Sequence, residues 1–128
     1  MSAEIVSEKI EFGRIAATVA VTDMARALAF YVGVLGKSKV FENGDPAGFA
    51  ILRKGAAELH LTLNKNHRSG MANVCHLMVS DAAALHDFCT RRGVRIVKGV
   101  RDQTYGLRDF VIADPDGNRI DIGQRLTS

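Results

Sequence analysis

Two stretches of the chain, VTDMARALAF at residues 21–30 and VSDAAALHDF at residues 79–88, share one pattern at a constant offset of 58 residues. In each, an apolar run leads into an aspartate, an alanine-rich segment follows, and a glycine comes next, at Gly36 or Gly93. An aspartate side chain can accept hydrogen bonds from the first free N–H groups of a helix, so the pattern predicts strand, N-cap, helix and C-cap. Self-similarity at a fixed spacing indicates a duplicated structural unit.

The duplication continues into the strands that follow each helix. Phe49–Leu52 and Leu59–Leu61 resemble Phe110–Ile112 and Ile120–Ile122, with one residue fewer in the first turn. We therefore predict an α+β fold in which two tandem βαβββ modules form a curved mixed sheet around a cleft. The predicted organisation is a single domain, 1–128, with modules at 13–64 and 71–124 and a linker at 65–70.

Composition narrows the class of protein. A chain of 128 residues with 47% hydrophobic and 24% charged residues is typical of one globular domain. The basic residues are scattered, and no apolar run approaches 18 residues, so we expect neither nucleic-acid binding nor a membrane span. The N-terminal segment is polar and unlike a signal peptide, and Cys75 and Cys89 lack metal-site spacing. These features predict reduced thiols and a cytoplasmic location.

Several polar residues occupy positions that suit either chemistry or structure. By the duplication, Asp121 is the counterpart of His60, so both side chains should point into the cleft or both away from it. Asp114 and Asp116 are predicted to be turn residues whose side chains bond nearby backbone N–H groups.

Two further histidines are predicted to be solvated. His67 lies in the linker, and His86 lies on a helix that the duplication places outside the cleft.

These elements together resemble a known family. The paired modules, FYVGVLG at residues 30–36 and DPDGNRID at residues 114–121 are similar to the vicinal oxygen chelate superfamily over residues 13 to 124. Its members include glyoxalase I, extradiol dioxygenases, and fosfomycin- and bleomycin-resistance proteins. YGLRDF at residues 105–110 most resembles the bleomycin-resistance branch.

The resemblance implies four metal-ligand positions, and here two of them are aliphatic. They fall on Ala16 and Val74, which cannot bind a metal, and on His60 and Asp121, which can. We therefore expect no cofactor. The alternative is a lyase, isomerase or dioxygenase in which Fe, Mn, Ni or Zn is bound by a shifted donor set. Its candidate ligands are His60, His76, Asp121 and Glu58.

A cleft without a metal suits a small-molecule binding protein, completed in this family by the second subunit of a homodimer. Sequestration of an antibiotic or metabolite is the implied activity, and the net charge of +3 favours an anionic ligand over a cation. A structural or regulatory partner domain is a further alternative, which predicts an exposed apolar patch instead of a pocket. The candidate ligand contacts are four aromatic residues, Phe41, Phe49, Tyr105 and Phe110, and three polar ones, His60, Arg108 and Asp121.

Overall fold

The computed structural model describes residues 3–127. Within them, strand, helix and three further strands follow one another twice, which confirms the α+β architecture of two tandem modules. The elements are β1 (Ala17–Val21), α1 (Met24–Tyr31), β2 (Ser38–Gly44), β3 (Ala47–Lys54), β4 (Ala57–Leu63), β5 (Asn73–Met78), α2 (Ala82–Arg91), β6 (Arg95–Asp102), β7 (Leu107–Ala113) and β8 (Arg119–Arg125).

Each module forms its own four-stranded mixed sheet. The strand orders are β1-β4-β3-β2 and β5-β8-β7-β6, and the first pair in each order is parallel while the others are antiparallel. Thr18 pairs with His60 and His76 pairs with Asp121. Since Thr18 and His76 are themselves 58 residues apart, the register confirms that His60 and Asp121 are counterparts.

Both helices begin and end as the repeated pattern predicts. Asp23 accepts a hydrogen bond from the backbone N–H of Arg26 at 3.0 Å, and Asp81 accepts one from Ala84 at 3.0 Å. Gly36 has a φ of 76°, a conformation that favours glycine after a helix. Within residues 3–127, neither helix is long and apolar enough to cross a membrane.

The core lies between each helix and its sheet. Because side chains alternate along a strand, one side of each sheet packs on the helix and the other side turns away from it. We call that second side the open face. One row of paired residues crosses each open face: Thr18, His60, Ile51 and Phe41 on the first sheet, and His76, Asp121, Val111 and Lys98 on the second.

The turn between β7 and β8 joins the second module to the first. Asp114 accepts a hydrogen bond from the Tyr31 hydroxyl at 2.8 Å, and both side chains are buried. Asp116 accepts a bond from the backbone N–H of Thr22 at 3.0 Å, and Asn118 donates to a backbone carbonyl of β1 at 2.9 Å. We call this contact the filled junction.

The contacts of the filled junction confirm the prediction for Asp114 and correct the predictions for Asp116 and His67. Asp114 does bind nearby backbone N–H groups, those of Asp116 and Asn118, each at 2.9 Å. Asp116 instead reaches across to the first module. His67 is not simply solvated, because its Nε2 lies 2.8 Å from the Asn118 side-chain oxygen.

His86 also differs from the prediction. It is half-buried, and its ring lies 5.2 Å from that of Phe110, edge to face. The histidine therefore contributes to packing between α2 and β7.

Candidate ligand-binding site

Three of the predicted ligand contacts form one cluster on the open face of the first sheet. The His60 ring lies edge-on to Phe49, with a centroid distance of 5.5 Å, and Phe49 lies 6.3 Å from Phe41. Phe41 is 50% exposed and the His60 side chain is 24% exposed. The cluster is a partly exposed aromatic surface with an imidazole beside it, which is the kind of surface that binds planar molecules.

Glu58 fixes the position of the His60 ring. Its carboxylate lies 2.8 Å from His60 Nε2 and also binds Arg14 at 2.6 Å and Arg53 at 2.9 Å. The Arg53 hydrogen bond, followed by that of His60, lowers the pKa of Glu58 to about 2. Such a carboxylate is a poor proton acceptor at neutral pH, so Glu58 is suited to orienting His60 and not to general-base catalysis.

The second open face carries a matching pair that is more accessible. Asp121 Oδ2 lies 2.7 Å from His76 Nδ1, and the two side chains are 25% and 42% exposed. Gly123 makes room for the imidazole, since a Cβ built there would lie 3.3 Å from His76 Cε1. The carboxylate in the middle of an apolar strand therefore holds a histidine in one orientation.

The remaining predicted contacts lie in three different surroundings. Tyr105 is 65% exposed and donates its hydroxyl hydrogen bond to Asp109, while Arg108 is paired with Asp102 at 2.7 Å. Phe110 is 1% exposed and belongs to the core under α2, on the side of the sheet opposite Asp121. Phe110 has no surface from which to contact a ligand on the open face.

The donor set of one chain does not fit a metal ion. Among residues 3–127, no group of three or more His, Cys, Asp or Glu side chains is placed to hold one. His60 and Glu58 lie on the first sheet, whereas His76 and Asp121 lie on the second. Each histidine has its own carboxylate partner, so we derive no chemical step through a metal.

Sequence reasoning missed two features of the site. Arg53 pairs with Glu58 across the β3–β4 hairpin, and counting cross-strand partners outward from Gly55 would have found it. Lys37 is buried at the boundary between the modules, although a lysine directly after a helix-ending glycine is typical of a solvated loop. Only the packing of the second module explains that burial.

Comparison with known proteins agrees with the fold. The family model described as Glyoxalase/Bleomycin resistance protein/Dioxygenase superfamily matches residues 12–122. Among curated protein sequences, none matches this chain significantly.

Several solved structures share the architecture. A member of the glyoxalase/bleomycin resistance protein/dioxygenase superfamily from Sphaerobacter thermophilus is 27% identical, with a TM-score of 0.75 over 91% of this chain and 99% of that one. A bleomycin resistance determinant encoded on the transposon Tn5 is 22% identical, with a TM-score of 0.76 over 89% and 98%. The bleomycin-binding protein of Streptomyces verticillus, solved with copper(II)-bleomycin, is 22% identical, with a TM-score of 0.69 over 93% and 99%. With a family model that spans most of its length, this chain belongs to the glyoxalase/bleomycin resistance protein/dioxygenase superfamily.

Proposed function

We propose that this protein binds a small aromatic molecule on its open faces and acts by sequestration, with no bond made or broken. The observation that carries the proposal is the contiguous cluster of Phe41, Phe49 and His60. Aromatic rings offer stacking area, and the fixed His60 imidazole offers one oriented polar group.

A homodimer would enclose the ligand. The open faces expose apolar side chains that a monomer would leave in water, with Phe41 at 50%, Val74 at 40% and Met78 at 45% exposure. The segment before β1 exposes more, including Phe12 at 81% and Ile15 at 97%. Apolar surface of this extent is typical of an interface. Two copies related by a two-fold axis would place the first open face of each against the second open face of the other.

Such a dimer would bring His60 of one subunit and the His76–Asp121 pair of its partner to a shared cleft. Tyr105, in the turn before β7, and Arg108, near the start of β7, remain candidate contacts at its rim, although strand alternation places Arg108 on the α2 side of the sheet with Phe110. Arg14 and Arg53, with side chains 67% and 51% exposed, add positive charge beside His60. This charge and the sequence pI of about 9.1 favour a ligand with an anionic group, whether it is an antibiotic or a metabolite.

The free state of Cys75 and Cys89 supports a reducing compartment such as the cytoplasm as the place where sequestration occurs.

A ligand screen by thermal shift, followed by calorimetry on the variants Phe49→Ala, His60→Ala and Asp121→Asn, tests the proposal. Loss of a stacking ring or of an oriented polar group should weaken binding by roughly five- to thirtyfold, corresponding to about 1–2 kcal/mol. Asp87→Asn, an exposed carboxylate on α2, is the matched control and should bind like the wild type. Unchanged affinity in all three variants would place the site elsewhere.

Two measurements separate sequestration from metal-dependent catalysis. Metal analysis of the purified protein should find no stoichiometric Fe, Mn, Ni or Zn, and ligand recovered after incubation should be chemically unaltered. A retained metal together with a modified ligand would favour the enzyme. Light scattering should find a dimer at micromolar concentration, and a monomer there would contradict the shared cleft.

A further inference from the structure

A cavity lies between the two modules, lined mainly by helix-facing residues of both sheets. It has a volume of about 360 Å³, which falls within the range of small-molecule pockets. Its wall is mainly apolar, although Glu58 and His76 also contribute to it. We call it the inner hollow; the residues used below are Tyr31, Leu35, Lys37, Cys75, Leu77 and Ile122.

Lys37 is the unusual member of this wall. It is only 8% exposed, and among the described residues its ammonium group has no hydrogen-bond or ion-pair partner. No side-chain nitrogen or oxygen of the described part is both fully buried and unpaired, so Nζ keeps some contact with open space. A lysine this buried without a countercharge is rare, because removing an ammonium from water is costly unless it is paired.

The neighbours of Lys37 do not remove this cost. Burial lowers the pKa of Lys37; the neighbouring Cys75 opposes this, and the nearby charge of Lys54 adds to it, so that the pKa stays below its usual value. Lys54 Nζ lies close to Gly36, the residue before Lys37: a Cβ built on Gly36 would be 3.7 Å from it. Burial also raises the pKa of Cys75, so its thiol stays neutral and supplies no countercharge at neutral pH.

We propose that the inner hollow binds a monocarboxylate with a short apolar body, whose carboxylate pairs with Lys37. The apolar body would contact Leu35, Leu77 and Ile122. This site differs from the open-face site, because its cation is Lys37 and most of its wall comes from helix-facing residues; Glu58 and His76 border both sites.

The composition of the wall selects a carboxylate over a phosphate or sulfate. A phosphate group carries up to two charges and three acceptor oxygens, which proteins satisfy with arginine forks or several backbone N–H groups. Lys37 is a single compact donor among apolar side chains. One carboxylate matches its charge, and the apolar remainder of the ligand matches the rest of the wall.

Calorimetric titration of the full-length protein with hexanoate tests the assignment, with hexan-1-ol and hexylamine as neutral and cationic analogues of the same length. Hexanoate should bind saturably, and both analogues should bind at least about tenfold more weakly. Lys37→Met should weaken hexanoate binding by at least about tenfold and raise the midpoint of thermal unfolding of the ligand-free protein, since it removes a buried unpaired charge. Lys65→Met, an exposed linker lysine, is the matched control and should bind like the wild type.

Cys75 gives an independent measurement that needs no variant at Lys37. Saturating hexanoate should slow the reaction of the Cys75 thiol with a disulfide reagent at least about fivefold, because ligand and reagent compete for one space. The buried Cys89 serves as the unreactive reference. No saturable hexanoate binding, equal binding of hexan-1-ol, full affinity in Lys37→Met or an unprotected Cys75 would each overturn the assignment.

Discussion

The two junctions between the modules are related by the duplication but are built differently. At the filled junction, the β7–β8 turn inserts Asp114 beneath Tyr31 and seals the contact with buried hydrogen bonds. At the other, the β3–β4 turn lies opposite Ser80 and Leu85 and leaves a hollow of about 560 Å³. We call the second contact the open junction; Lys37 belongs to the walls of both hollows.

Residue chemistry accounts for the difference. The strand registers place Lys54 where the second module has Asp114, and the turn around Lys54 is one residue shorter. Cys89 stands 58 residues after Tyr31, so the open junction has a thiol where the filled junction has the hydroxyl that meets Asp114. In a duplicated fold, one junction between the modules can thus stabilise the structure while the equivalent junction leaves space for a ligand.

The largest effect should come from removing the carboxylate at the centre of the filled junction. Asp114→Ala leaves the Tyr31 hydroxyl and two N–H groups of Asn118 without their acceptor, so we expect a loss of about 3 kcal/mol in the free energy of unfolding. Urea denaturation measures it. Lys54→Ala, at the matching position of the open junction, should change stability by less than about 0.5 kcal/mol. Equal losses in the two variants would mean that the junctions do not differ as described.

A smaller, pH-dependent effect should follow from Thr22→Val. The variant loses the hydroxyl bond to Asp116, and we expect a loss of about 1 kcal/mol at pH 7. Ser80→Ala is the control, because Ser80 occupies the matching position and its hydroxyl bonds no other described side chain.

The pH dependence has a definite sign. Burial alone would raise the pKa of Asp116, but hydrogen bonds from Thr22 and the charge of Arg26 outweigh it and hold that pKa below the usual 3.8. The carboxylate therefore stabilises the fold fully above pH 3.8, and this contribution is lost as the pH falls below that value. The difference between wild type and Thr22→Val should shrink over the same interval. A difference that grows on acidification would contradict the assignment.

The smallest effect should come from filling the open junction. Ala56→Leu adds apolar volume to the wall of the larger hollow and should leave stability unchanged or raise it by up to about 1 kcal/mol. Ala72→Leu adds the same side chain at an exposed position and should have no effect. A loss above about 1 kcal/mol in Ala56→Leu would indicate overpacking and would mean that the space is not available.

Local patterns in the sequence were sufficient for the order of the elements. The capping aspartates, the turn glycines and the alternation in β8 each act within a few residues, so periodicity and spacing reveal them. The equivalence of His60 and Asp121 in the two modules followed from the duplication alone.

What the sequence did not reveal depends on contacts between the modules. The sequence around Asp116 indicates an ordinary turn residue, but in the structure Thr22, 94 residues away, donates a hydrogen bond to it. Lys37 has the sequence context of a loop lysine, but the second module covers it. Phe110 has the context of a stacking ring, but α2 packs on it. Long-range packing decides these cases, and no local propensity reports it.

The filled junction has a consequence for the order in which the chain folds. Every strand pairing among residues 3–127 lies within one module, whereas the hydrogen bonds that define this junction join residues 83, 94 and 98 positions apart. Contacts of such separation close the longest loops, so we expect them to form last. During synthesis on the ribosome the first half can assemble its sheet early, but Tyr31 must wait for Asp114 to emerge, and until then the nascent unit is incomplete.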